Sequence, residues 1–163
     1  RVYFLSSYRK KKRDMSLQQQ VMEEMKTAMK AKDKVALESL RAIKSALLLL
    51  QTETGSGEQI SEESEIQLIQ KLVKQRKDSA AIFIEQGRTD LAEPELAQVA
   101  IIEKFLPEQL TEEEIEKVVV QTIAATGAEG MKDMGKVMGI VSKELAGQAD
   151  GKTISMIVKK KLA

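Results

Sequence analysis

The residues best suited to ligand contact sit in one stretch, Asp133-Met134-Gly135-Lys136-Val137-Met138-Gly139, with Lys143 one turn on and Ala149-Asp150-Gly151 beyond it. On a helical wheel Met134, Val137, Met138, Val141 and Leu145 share one side. Gly135, Gly139, Lys132, Lys136 and Lys143 share the other. The chemistry offered is capture of an anion by ammonium groups, with no bond made or broken. Each glycine inside a helix costs about 1 kcal/mol relative to alanine. A helix that carries two of them beside lysines, away from its apolar side, suggests close approach by something anionic. Two other readings stay open: a solvated helix face for the lysines, and tight helix packing against an N-terminal domain for the glycines.

Missing residue types narrow the chemistry further. The 163 residues include no Cys, His or Trp, and aromatics make up 3%. No Cys nucleophile, Ser-His-Asp triad or histidine acid–base pair can be assembled. Zinc sites built on Cys or His are excluded as well. No cofactor or metal is expected. Ala, Leu, Ile, Val, Met, Glu, Lys and Gln dominate, which favours helices over sheets. No apolar run approaches the roughly 20 residues that span a bilayer. A chain without Cys fits a reducing compartment, and a cytoplasmic location is expected.

The formal charge of +1 hides an asymmetry. Residues 1–14 hold six cations and one anion, and the run Lys10-Lys11-Lys12-Arg13 stands out. Without them 20 positive and 24 negative charges remain, a net of −4. Met15-Ser16-Leu17 reads like a natural start, so residues 1–14 are expected to be an upstream or artificial extension. Residues 131–163 hold seven lysines against Asp133, Glu144 and Asp150, so positive charge gathers at the C-terminus.

Positioning these groups requires helices throughout. Ser16 is placed to cap a first helix lined by Leu17, Val21, Met25 and Met29. Asp33 caps a second, with Leu37, Leu40, Ile43, Leu47 and Leu50 inward and Arg41 and Lys44 outward. Thr54-Gly55-Ser56-Gly57 is a turn. Ser61 opens a third helix that Gly87 ends; Ile66, Ile69, Leu72, Val73, Ala80 and Phe83 form its stripe. A fourth runs from Asp90 or Glu93 to Phe105, its start uncertain because Pro94 suits only a first turn. Leu96, Val99, Ile102 and Leu106 line it. Thr111 and Glu114 form a capping box, and Leu110 with Ile115 a hydrophobic staple. The helix they open, with Ile115, Val118, Val119, Thr122 and Ile123 inward, stops at Gly127. The glycine–lysine helix follows over about Lys132 to Ala146. Asp150 caps a last one, where Lys152, Lys159 and Lys160 lie off the apolar stripe. The architecture expected is all-α: an N-terminal helical domain of about four helices over 15–106, then a three-helix domain over 107–163.

Leu106-Pro107-Glu108-Gln109-Leu110-Thr111-Glu112-Glu113-Glu114, Asp133 through Gly139 and Ala149-Asp150-Gly151 together resemble the YqeY family, as does Lys74-Gln75-Arg76-Lys77-Asp78-Ser79. The resemblance runs from Met15 to the C-terminus. It implies an all-helical protein whose C-terminal domain is similar to the tail of the B subunit of tRNA-dependent amidotransferases. That tail contacts the body of the tRNA, while the amidation chemistry lies elsewhere. By the same resemblance Lys132, Lys136 and Lys143, with Lys152, would meet phosphates, and Gly135 and Gly139 would let an RNA backbone approach. Lys74, Arg76 and Lys77 form a secondary basic surface. Backbone N–H groups at the starts of the last two helices could also meet phosphate. Asp133 and Asp150 lie at those starts and are expected to cap rather than bind.

Three functions follow as expectations. The first is a non-catalytic accessory protein that binds tRNA or aminoacyl-tRNA by shape and charge, linked to tRNA-dependent amidation or tRNA metabolism. The alternative is a protein-interaction module that docks helix faces on a synthetase or amidotransferase. The third, a carbon–nitrogen ligase with glutamine as amido donor, is a family-level label that no catalytic residue here supports.

Overall fold

A computed structural model describes residues 15–55 and 60–163. The expectations for residues 1–14, and for Ser56 and Gly57 in the glycine turn, lie outside the described residues. Every regular element among the described residues is helical: α1 (Leu17–Ala31), α2 (Lys34–Thr54), α3 (Glu62–Glu85), α4 (Thr89–Ile102), α5 (Glu112–Thr126), α6 (Met134–Glu144) and α7 (Gly151–Leu162). Short 3-10 turns follow α4 at Glu103–Phe105 and precede α6 at Met131–Asp133. The described residues fall into two compact units, one ending at Phe105 and the other running from Leu106 to Ala163.

Side chains at the helix ends explain where most helices begin. The Ser16 hydroxyl accepts from the Gln19 N–H, and the Ser16 N–H donates to the Gln19 side chain, closing a capping box on α1. The Asp33 carboxylate takes the Ala36 N–H at 3.1 Å, and the Ser61 hydroxyl takes that of Ser64 at 3.1 Å. Both satisfy N–H groups that a helix leaves unpaired in its first turn. Ends are equally specific. Arg88 donates its N–H to the Phe83 carbonyl and Gly87 to that of Ile84, with Gly87 at φ +71. This pair of bonds around a left-handed residue closes α3. The same pattern closes α1 at Lys32, a non-glycine at φ 55, with Asp33 donating to Ala28 and Lys32 to Met29.

In the first unit α3 packs along α4, α1 along α2, and α2 against both α3 and α4. Val21, Leu40, Ile43, Ile69 and Ile102 are almost wholly buried there. Burial of such side chains contributes about 1.5–3 kcal/mol each before entropy is counted. Two stripe residues turn out differently. Met29 is 61% exposed and Leu96 43% exposed. Both lie near the edges of their stripes, where periodicity marks a face but does not fix how much of it is covered.

Pro94 also departs from expectation. It sits at the sixth position of α4, inside the helix, and is exposed. Proline has no N–H to offer the carbonyl one turn back, but on the solvent side water can serve that carbonyl. The helix therefore starts at Thr89, ahead of Pro94, with Arg88 paired to Asp90 through two bonds of 3.0 and 3.1 Å.

Candidate nucleic-acid interface

Three short helices of the second unit build the platform for the glycine–lysine stretch. Each has about 11 to 15 residues, too short to hold alone in water. Their stability comes from a shared core of Ile115, Val119, Val137, Val141, Leu145, Ala149, Ile154, Val158 and Leu162. Met134 and Met138 pack against its edge, as do Leu110 and Ile123. Thr111 caps α5 by accepting from the Glu114 N–H at 3.2 Å, and its hydroxyl in turn donates to the Glu114 carboxylate. The Thr122 hydroxyl is buried and donates to the Val118 carbonyl.

Two further links fix α7 and the turn before it. Lys161 reaches the Glu116 carboxylate at 2.6 Å, tying α7 to α5. That bond, together with the positive charge of Lys161 and Lys160, holds the Glu116 carboxyl below the usual carboxylate range. Gly147 at φ +79 lets the chain turn between α6 and α7. Its carbonyl receives the Gln109 side-chain amide at 2.6 Å, and the Leu110 N–H donates to Gln148 at 2.9 Å.

With Val137 and Val141 directed into the core, the other side of α6 faces solvent. Gly135, Lys136, Gly139 and Lys143 are all exposed there, and Lys132 is exposed on the preceding 3-10 turn. Lys152 is exposed at the second position of α7. Among the described residues none of these four lysines forms an ion pair. A Cβ built on Gly135, Gly139 or Gly151 would meet nothing within 4 Å. No helix of this unit packs on the two glycines of α6, so their helix backbone is open to an incoming group. The α6 helix is shorter than the expected span, because the chain around Lys132 is a 3-10 turn and Leu145 already closes the far end.

The aspartates divide. Asp150 caps α7, taking the Thr153 N–H at 2.7 Å and its hydroxyl at 3.0 Å. Asp133 does not cap α6. Its carboxylate accepts from the Glu129 N–H at 3.0 Å and so braces the turn before the helix. The physical reason is the 3-10 turn, which carries the chain into α6 without the extended residue that a capping side chain needs.

Residues of the secondary basic surface are split in the same way. Arg76 is half-buried, donating to the Gln98 side chain at 2.8 Å and the Leu72 carbonyl at 3.1 Å. Lys77 pairs with Glu103 at 3.0 Å. Lys74 alone of the three is exposed without an ion pair among the described residues. On α2, Arg41 is exposed and Lys44 half-buried.

One feature of the first unit escaped sequence reasoning. A groove of about 460 Å³ lies between α1, α2 and the end of α4, floored by Ala28, Ala31, Ala36, Leu40 and Ile101 and edged by Glu23, Glu24 and Asp33. Among the described residues no group of three or more acidic side chains is placed to hold a metal ion. Nor is any helix among them long and apolar enough to cross a membrane.

Comparison with known proteins covers both units. The Yqey-like protein family model matches residues 18–162. Altered inheritance of mitochondria protein 41 of Pyrenophora tritici-repentis, named as mitochondrial, is 32% identical over 129 residues, 77% of this chain and 69% of that protein. The protein of the same name in Lachancea thermotolerans is 32% identical over 83 residues, 51% of this chain and 44% of its own length. The E subunit of a glutamyl-tRNA(Gln) amidotransferase from Thermococcus gammatolerans is 34% identical over 86 residues, 53% of this chain but 11% of that protein. A family match across nearly all of the described helices settles the kinship that the motifs suggested, and the chain belongs to the Yqey-like family.

Proposed function

We propose that this protein is a non-catalytic accessory factor that binds tRNA, or aminoacyl-tRNA, by shape and charge. The observation that carries the reading is the α6 face, where Lys136 and Lys143 flank two open glycines and Lys132 and Lys152 stand nearby, all exposed. Such a surface suits phosphates and 2′-hydroxyls, the groups a folded RNA presents along its helices. With 3% aromatic residues the chain is poorly equipped to stack unpaired bases. Kinship with an amidotransferase component named for glutamyl-tRNA(Gln) supports a tRNA setting. In this reading the four-helix and three-helix units are separate domains, and the second, similar to an amidotransferase tail, makes the contact. Cytoplasm is the compartment we favour; the mitochondrial names of two relatives make the organelle interior the alternative.

Binding to bulk tRNA is measured at several salt concentrations, with a plain RNA duplex as control, for the protein and for Lys136→Glu/Lys143→Glu. The expected result is modest affinity that prefers tRNA, falls steeply with salt and is lost in the variant while helicity by circular dichroism is retained. Unchanged binding in the variant removes α6 as the site. Absence of binding at low salt removes the RNA reading and leaves docking on a synthetase or amidotransferase, which is far less sensitive to salt.

A further inference from the structure

The last helix stands apart in charge. Among the described helices α7 alone carries no Asp or Glu, while it holds Lys152, Lys159, Lys160 and Lys161. Lys161 pairs with Glu116 of α5. Lys160 adds its field to the same carboxylate, so one anion answers two cations. Lys152, Lys159 and Lys160 are exposed and form no ion pair among the described residues. Lysines in a last turn complement the helix dipole, which accounts for Lys159 and Lys160 but not for Lys152. That residue sits at the second position of α7, where the positive end of the dipole disfavours a cation. Asp150 does not offset it, because its carboxylate is engaged by Thr153. Met156 is 65% exposed, although Ile154, Val158 and Leu162 of the same helix are buried. Lys152, Met156 and Lys160 recur at every fourth residue and so share one side, with Lys159 beside them. The side of α7 turned from the core is therefore a methionine set among three cations.

We propose that this strip is a second contact surface, beyond the α6 face, and that it takes the phosphate backbone of a double-helical RNA stem. The inference rests on the RNA reading of α6 and extends it to a further helix. Lys143 in the last turn of α6 and Lys152 in the first turn of α7 stand on either side of the turn at Gly147. The two sets of cations thus follow one another around that turn. Along α7, Lys152 and Lys159 are two turns apart, roughly 10 Å at 1.5 Å per residue. An unpaired strand would call for aromatic platforms, and α7 has no aromatic residue. The shallow groove of a stem asks instead for cations at the phosphates and a contact that adapts to shape beside the ribose hydroxyls. The flexible, unbranched thioether of Met156 suits that contact.

Binding of the full chain to bulk tRNA and to a plain RNA duplex, over a series of salt concentrations, tests this. The unmodified chain is compared with Lys159→Gln/Lys160→Gln and with Lys26→Gln/Lys30→Gln, which removes the same charge from exposed positions on α1. The α7 variant is expected to bind both RNAs about tenfold more weakly at low salt. Its slope of log affinity against log salt should be shallower by about 1.5, the share of two phosphate contacts. The α1 variant should match the unmodified chain. An equal loss in the α1 variant shows that net charge is being read, and overturns the proposal. An unchanged slope in the α7 variant overturns it too, while leaving the α6 reading in place. An unmodified chain that binds neither RNA at low salt removes both. Weakening toward tRNA but not toward the duplex overturns the stem, and a loss confined to vesicles of anionic phospholipid assigns the strip to a membrane surface instead. Should the α7 variant lose helicity, Lys152→Gln alone takes its place, with half the change in slope expected and no change overturning the proposal.

Discussion

Basic residues on two helices meet different fates. In α3, Arg76 is drawn inward by Gln98 and the Leu72 carbonyl, and Lys77 is held by Glu103. In α6 and the turn before it, Lys132, Lys136 and Lys143 have no such partner among the described residues. What separates them is the neighbour. The α3 helix packs closely along α4, which supplies both Gln98 and, just past its end, Glu103. The α6 helix gives its apolar side to α5 and α7, and within its unit nothing packs on the other side. A cation spent on architecture can be told from one left for a ligand only once the packing partner is known.

Reversing charge on α6 is the harshest way to break that contrast. Lys136→Glu with Lys143→Glu should weaken tRNA binding about a hundredfold at low salt, since two attractions become two repulsions. Stability should stay within about 0.5 kcal/mol, as expected for exposed sites. Arg76→Ala should do the opposite. It removes hydrogen bonds from a half-buried charged group and should cost about 1–2 kcal/mol in urea unfolding, with tRNA affinity unchanged. A large affinity loss in this variant would place α3 in the interface after all.

The glycines sharpen the comparison. Neither Gly135 nor Gly139 has a positive φ, and a Cβ at either meets nothing. Gly135→Ala/Gly139→Ala should therefore stabilise the second unit by up to about 2 kcal/mol, from helix propensity alone. If close approach of an RNA backbone is their purpose, affinity falls in the same variant; a stabler protein with full affinity would assign binding to the lysines alone. The smallest effect concerns Glu116. Its folded pKa is lowered, so the stability it adds is present above the ordinary carboxylate range and is lost as pH falls through the folded value. Lys161→Ala should return the Glu116 titration, followed by carboxyl NMR, toward its ordinary position and remove that acid-side slope.

Much of the helical framework was legible from local chemistry. Ser16, Asp33, Ser61, Thr111 and Asp150 were expected as caps and are caps, because a capping bond spans three residues and leaves its trace in sequence. The apolar stripe of α6 was legible for the same reason of short range. Arg76 was not, since its partner Gln98 is 22 residues away. Asp133 misled because an aspartate ahead of a helix looks like a cap whether or not a 3-10 turn intervenes. Pro94 misled because its tolerance depends on facing water, which periodicity alone did not decide. The groove between α1 and α2 is a gap between surfaces, and a gap has no residue of its own to announce it.

The bonds from Gln109 and Leu110 to the turn at Gly147 and Gln148 bear on where this unit can be cut. They clasp the segment ahead of α5 to a point nearly forty residues later, so the capped helix start at Thr111 is not the true edge. A fragment begun at Thr111 would keep all three helices yet lose the clasp and the Leu110 side chain from the core margin. A fragment cut at Thr111 should unfold at a lower temperature than one begun at Leu106, which retains those few residues.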